Sequence, residues 1–226
     1  MPEQKSSTGD LPENILDLAR QLFIRLPHLS VVGDDMFACF RAIVDVFEHG
    51  GVLFICGNGG SFADAIHIKG ELAKSFEKPR PLTNTNVIEK LKKYDMGRGL
   101  IDNLQIGLPV IVLGESHSLR SAWENDCDPE LAYAQELNTF AGCVNPAVLL
   151  GISTSGNAKN VIAAMTLARA YGLTTISFTC QDGGQLAELA DIPWRVPGNS
   201  TAEVQENQIP LYHTLCRMIE THFFGT

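Results

Sequence analysis

The sequence predicts an α/β fold: a doubly wound, mostly parallel sheet flanked by helices, with two further helices ahead of the first strand. Three observations carry this reading. Short apolar runs alternate with helical periodicities along most of the chain. The run Ala147 to Ile152 is nearly all apolar, as a strand covered on both faces must be. Two runs pass directly into turns rich in glycine or hydroxyl side chains, each followed by a helix. With 226 residues, 45% of them hydrophobic, the chain can bury a large core. One domain over residues 11–226 is expected, after a disordered polar tail at residues 1–10.

From Pro12, a favourable first helical residue, Ile15, Leu16, Leu18, Ala19, Leu22 and Phe23 recur at helical spacing up to Pro27. A second helix begins near Asp34 or Asp35 and ends at Gly50-Gly51. Both need an apolar partner, part of which a subunit interface could supply. The first strand, Val52 to Ile55, runs into Cys56-Gly57-Asn58-Gly59-Gly60-Ser61 and a helix from Ser61 to about Phe76. Glu77 to Pro109 then breaks the rhythm with Lys78-Pro-Arg-Pro and Thr83-Asn-Thr-Asn, and reads as a partly helical surface insertion. Strands follow at Val110 to Leu113, Ala147 to Ile152, Leu173 to Phe178 and Ile192 to Val196. Helices separate them at Ser118 to Trp123, Pro129 to Phe140, Asn157 to Tyr171 and Gln185 to Ala190, and a last helix spans about Ala202 to Phe223. Pro210 should kink that helix.

The formal net charge is −9, and no basic cluster exceeds Lys90-Leu-Lys-Lys93, which disfavours nucleic acid and anionic membranes as partners. The six cysteines contain no CxxC pair, no apolar run approaches the roughly 18 residues that span a bilayer, and the N-terminus does not resemble a signal peptide. A soluble cytoplasmic protein with reduced thiols is expected.

Where a strand meets a helix through glycines, several backbone N–H groups and the helix dipole converge, which suits an oxyanion. Asn58, Gly59 and Gly60 let the backbone approach a ligand, and Ser61 can cap the helix or offer its hydroxyl; a tight connection with no ligand is the other reading. Ser153, Thr154 and Ser155 place three hydroxyls before another helix, where they can surround phosphate or simply cap. Both turns should lie at the carboxyl edge of one sheet, and neither carries a Walker-type lysine. His67 and Glu71, four apart on the helix leaving the glycine turn, share a face; they could bind one metal, or the carboxylate could orient the ring. Gln205 and His213 on the last helix are about 12 Å apart along its axis, so they would have to lean together to meet one ion. Asn125-Asp126 reads as a turn, with contact to sugar hydroxyls as the alternative. Lys69 should point away from the His67/Glu71 face, which argues against amine chemistry there.

Taken together, Cys56-Gly-Asn-Gly-Gly-Ser61, Asp64, His67, Glu71-Leu72, Gly151-Ile-Ser-Thr-Ser-Gly-Asn157 and Ala202-Glu-Val-Gln205-Glu206 with His213 resemble the sugar isomerase (SIS) domain, in its phosphoheptose isomerase branch, over about residues 35 to 222. The resemblance implies a Rossmann-like, homotetrameric cytosolic enzyme. It would interconvert sedoheptulose 7-phosphate and D-glycero-D-manno-heptose 7-phosphate through an enediol, with one Zn2+ per site. It further implies metal ligation by His67, Glu71, Gln205 and His213, with Glu71 and His213 as the acid/base pair. Contacts to the sugar phosphate would come from Asn58, Gly59, Gly60, Ser61, Asn125, Asp126, Ser153, Thr154, Ser155 and Gln205. Against the family pattern, Ala158 replaces a phosphate-contacting serine, Gln208 stands for histidine and Glu203 for arginine, and the stretch Glu77 to Pro109 is longer by some twenty residues. Another sugar phosphate as substrate, or a non-catalytic phosphosugar-binding or protein-interaction module, are the alternative readings.

Overall fold

The computed structural model describes residues 11–225, and the tail expected at residues 1–10 lies outside them. Five strands form one all-parallel sheet: β1 Val52–Gly57, β2 Val110–Val112, β3 Ala147–Ile152, β4 Thr174–Cys180 and β5 Ile192–Val196, in the order β2-β1-β3-β4-β5. All six residues of β3 are buried at the centre of the sheet. It pairs with β1 from Val52↔Ala147 to Gly57↔Ile152. The winding reverses between these two strands, so the crevice beyond their carboxyl ends is where such sheets receive ligands.

Alternate strand residues feed two cores. Leu53, Ile55, Val148, Leu150 and Ile152 enter one, with α1 (Glu13–Arg25), α2 (Gly33–Glu48), α3 (Gly60–Ala73) and α10 (Thr201–Phe224). Phe54, Cys56 and Leu149 enter the other, with α7 (Ala132–Ala141), α8 (Lys159–Ala170) and α9 (Gly184–Leu189). The doubly wound expectation is therefore met with both faces covered. The leading helices find their apolar partner within the chain, since Ile15, Leu22, Met36 and Phe40 are all buried in the first core.

Several element ends differ from the sequence reading. Strand β1 continues through Cys56 and Gly57, and the helix after the turn starts at Gly60 with Gly59 as its N-cap, so Ser61 does not cap it. The α6 helix, His117–Asp126, runs to the end of the pair Asn125-Asp126, which therefore closes a helix and does not form a turn. Helix α10 carries Pro210 within its length, as the sequence reading had it. Helix α3 ends at Ala73, short of the expected Phe76, because Lys74 takes an extended conformation and the next amides bond elsewhere.

The Ser75 N–H goes to Gln105 Oε1 at 2.8 Å, and the two that follow go to Glu220 of α10. Its carboxylate takes N–H bonds from Phe76 at 2.8 Å and Glu77 at 2.7 Å, and from Arg80 Nε at 2.9 Å, with Arg80 Nη2 2.8 Å away. Arg80 also donates to the Leu72 carbonyl at 2.7 Å and the Glu71 carbonyl at 3.2 Å, and its guanidinium lies 4.6 Å over the Phe224 ring. Both partners are buried, Arg80 at 1% and Glu220 at 0% exposure. The same arginine roots the insertion, which leaves and rejoins the fold through a Pro81↔Gln105 bridge and an Ile106 N–H bond to the Arg80 carbonyl at 2.8 Å. Between these lie the short helices α4 (Thr85–Leu91) and α5 (Gly97–Asn103).

Removing one member of a buried ion pair strands the other charge, which costs about 3–5 kcal/mol. Glu220→Ala is expected to lose that much, read from urea unfolding at neutral pH. Burial pushes the Glu220 carboxyl up, but the Phe76 and Glu77 amides and Arg80 outweigh it and hold the group below its ordinary value. Its stabilisation is complete above the unfolded-state carboxyl pKa and is lost as pH falls through the lowered folded value. Acid titration of stability should accordingly be shallower in Glu220→Ala than in the wild type.

Candidate active site

The glycine turn after β1 holds a conformation that needs glycine. Gly59 sits at φ 55°, and a Cβ on Gly60 would overlap the side-chain amide of Gln205. Helix α10 thus lays Gln205 against the turn. Asn58 is gripped from the other side: its side chain exchanges hydrogen bonds with Asn160 of α8 at 2.8 and 2.9 Å and accepts one from the Tyr133 hydroxyl at 3.0 Å. The same single proton is shared with the nearer Gly57 carbonyl at 2.5 Å, which takes the larger part, and burial pushes the phenol up to about 12. A hollow of about 360 Å³ opens there, with Asn58, Ala158, Lys159 and Asn160 in its wall.

The hydroxyl turn after β3 is braced differently. Gly156 has φ 65°, and a Cβ there would collide with the Gly183 carbonyl, so this turn and the one after β4 touch backbone to backbone. The Ser153 N–H bonds the Phe178 carbonyl at 3.1 Å, and Ser153 is buried. Thr154 and Ser155 face a pocket of about 210 Å³ whose opposite wall is Ser200, Thr201 and Val204, the first turn of α10. Ser200 caps that helix by accepting the Glu203 N–H at 3.2 Å, and Glu203 accepts the Asn199 N–H at 2.6 Å. This capping arrangement is what the departure at Glu203 achieves locally. Hydroxyls and a helix N-terminus sharing one pocket suit a phosphate.

Farther along α10, His213 meets the two residues of α3. His67 Nε2 is 3.0 Å from Glu71 Oε1 and 3.3 Å from His213 Nε2, and the three potential ligand atoms lie within 4.8 Å of one another. Burial first, then His67, push the His213 imidazole below its ordinary value. Two imidazole nitrogens and a carboxylate oxygen facing one point can share a proton or a cation. That donor set suits zinc or a similar divalent ion with positions left for substrate. Lys69 does point away, to the carboxylate of Glu115. Phe76, at the root of the insertion, lies with its ring centre 5.8 Å from that of His213.

The structure therefore brings His67, Glu71 and His213 together, sets Gln205 against the glycine turn two helical turns earlier, and places Ser153 to Ser155 beside the start of α10. Ser61 is buried in the first turn of α3. Asn125 and Asp126 stay exposed at the end of α6, bonded to each other at 2.8 Å. Two residues escaped the sequence reading. Tyr212 is buried with its hydroxyl 3.0 Å from His67 Nδ1 and 3.3 Å from Asp64 Oδ1, and Tyr133 fixes Asn58. The available signal was a tyrosine among aliphatic core positions, because a buried phenol needs a partner.

No protein-family model matches the chain. It is 36% identical over 183 residues to a phosphoheptose isomerase from Trichlorobacter lovleyi, covering 81% of this chain and 80% of that protein. It is 32% identical over 216 residues to a phosphoheptose isomerase from Geotalea daltonii, covering 93% and 98%. A solved phosphoheptose isomerase structure from Francisella tularensis superposes with a TM-score of 0.68 at 25% identity, over 92% of this chain and 94% of that one.

Tyr133→Phe should leave the buried Gly57 carbonyl without its donor and free Asn58. A loss of about 1–3 kcal/mol in urea unfolding is expected. Stability within error of wild type would show that the phenol does not secure the turn.

Proposed function

The chain belongs to the phosphoheptose isomerase family, and on that premise we propose that it is a sugar phosphate isomerase converting sedoheptulose 7-phosphate to D-glycero-D-manno-heptose 7-phosphate. The observation that carries the proposal is the meeting of His67 and Glu71 from α3 with His213 from α10, two helical turns along α10 from the residue that packs on the glycine turn. A module that only bound phosphosugar would need the hydroxyl pocket but no such trio.

Aldose–ketose isomerisation moves a proton between adjacent carbons through an enediol, so it needs a base for carbon and an acid for oxygen. The Glu71 carboxylate takes the proton from carbon and returns it to the neighbouring carbon. His213, whose imidazole burial holds below its ordinary value, handles the proton at the substrate oxygens. Gly59, Gly60, Ser61 and Asn58 orient the sugar from the glycine turn, aided by Asn125 and Asp126, while Ser153, Thr154 and Ser155 hold the phosphate. His67, Glu71 and His213, joined by Gln205, are the residues that would hold zinc; a group held on the ion cannot at the same time take a proton, so Glu71 and His213 act as base and acid only when free of it. The bound ion would act as a Lewis acid toward the developing oxyanion. We further assign the chain to a single SIS domain and, from the family, a cytoplasmic homotetramer.

A different sugar phosphate is the second reading. It is favoured by Ala158, which leaves the Asn58 hollow without a serine hydroxyl, and by the insertion rooted beside His213 through Phe76.

Proton NMR of the protein with sedoheptulose 7-phosphate in deuterated water, with and without zinc, tests the reaction. An aldose anomeric signal with deuterium at carbon 2 is expected. Absence of exchange, with thermal stabilisation by other sugar phosphates, would overturn the heptose assignment. Glu71→Gln should abolish exchange while sugar phosphate binding stays within a few fold. Normal turnover in that variant would remove Glu71 from its role.

A further inference from the structure

His67 has two ring nitrogens and only one can be left free to meet a cation when the ring is neutral. Its Nε2 faces Glu71 and His213, while its Nδ1 faces the hydroxyl of Tyr212 at 3.0 Å. Tyr212 is 1% exposed, and its hydroxyl reaches a second acceptor, Asp64 Oδ1, at 3.3 Å. Asp64 is itself largely buried, at 9% exposure. A phenol has one proton. Given to the Asp64 carboxylate, it leaves the phenol oxygen as an acceptor, and the matching donor is a proton on His67 Nδ1.

We propose that Tyr212, backed by Asp64, is a positioning residue that keeps the His67 proton on Nδ1 and so presents the Nε2 lone pair to the space shared with Glu71 and His213. This deepens the metal-assisted reading above and rests on it for its consequence, although the tautomer stands on this chain's geometry alone. The two carboxylates pull the His67 proton in opposite directions. Glu71, 3.0 Å from Nε2, draws it to the face where an ion would sit, and Asp64 acting through Tyr212 draws it away. The T-shaped contact of the His67 and Tyr212 rings, 5.5 Å between centres, fixes the plane in which the choice is made. Outer partners of this kind set both ring orientation and metal affinity.

The test uses protein labelled with 15N at histidine, metal-free, at pH ~8.5, above the ordinary imidazole range. In Tyr212→Phe, with no partner left at Nδ1, the His67 proton is expected to move toward Nε2 relative to wild type. An unchanged tautomer overturns the inference. Zinc affinity, read by competition with a chromophoric chelator, should fall about ten- to a hundred-fold in the same variant. Equal affinities for a wild type that does bind zinc overturn it too. A wild type that binds no zinc would sink the metal reading and leave the tautomer to decide the role of Tyr212. Should Tyr212→Phe fail to fold, Asp64→Ala gives the same reading: with no acceptor there, the phenol proton turns onto Nδ1 and the histidine proton moves to Nε2.

Discussion

The placement of α3 against α10 depends on one buried carboxylate. Glu220 collects N–H bonds from Phe76, Glu77 and Arg80, and Arg80 returns two bonds to the last carbonyls of α3. An uncompensated charge at 0% exposure would be prohibitive, so the geometry of this cluster tolerates little variation. One of the two carbonyls it fixes belongs to Glu71. The clamp therefore sets where the Glu71 carboxylate stands relative to His213, seven residues back along α10. Fold stability and active-site geometry are here the same set of hydrogen bonds.

The sheet supplies the other half of the arrangement. Because β1 and β3 are adjacent, parallel and in register to their ends, the turns that follow them leave one edge side by side. The two turns are stiffened by different means. A tyrosine and an asparagine pair hold the first, and a backbone contact between Gly156 and Gly183 holds the second. They also open on different hollows, one toward α8 and one toward the start of α10. Helix α10 is the common ruler, passing the hydroxyl pocket at Thr201, the glycine turn at Gln205 and the α3 pair at His213.

Much of this was legible in the sequence. Apolar runs gave all five strands, with β3 and β5 placed to the residue; for β3, burial on both faces leaves little freedom in composition. The i,i+4 spacing put His67 and Glu71 on one face, and their contact in the structure follows from helix geometry alone. What spacing could not supply was anything set by contacts between distant segments. Helix α3 stops at Ala73 because a carboxylate 144 residues later takes the Phe76 amide. Nothing in the spacing of α10 singled out Tyr212, since its hydroxyl's partners, Asp64 and His67, lie on another helix. The pair Asn125-Asp126 carried turn-forming residue types but lies at a helix end, where such residues are also at home.

The insertion is joined to the body at a narrow neck, where Pro81 meets Gln105 and the Ile106 amide meets the Arg80 carbonyl. Everything between those points is a closed lobe, and its closure entropy changes only slowly with length. Such a lobe can be lengthened, shortened or rewritten over evolutionary time without passing strain to the strands below. Yet its neck is built from the arginine that secures Glu71 and stands next to Phe76, which touches His213. A lobe whose length is thermodynamically cheap to change is thus moored beside His67, Glu71 and His213, so contacts made by its outer part sit at the rim of that trio.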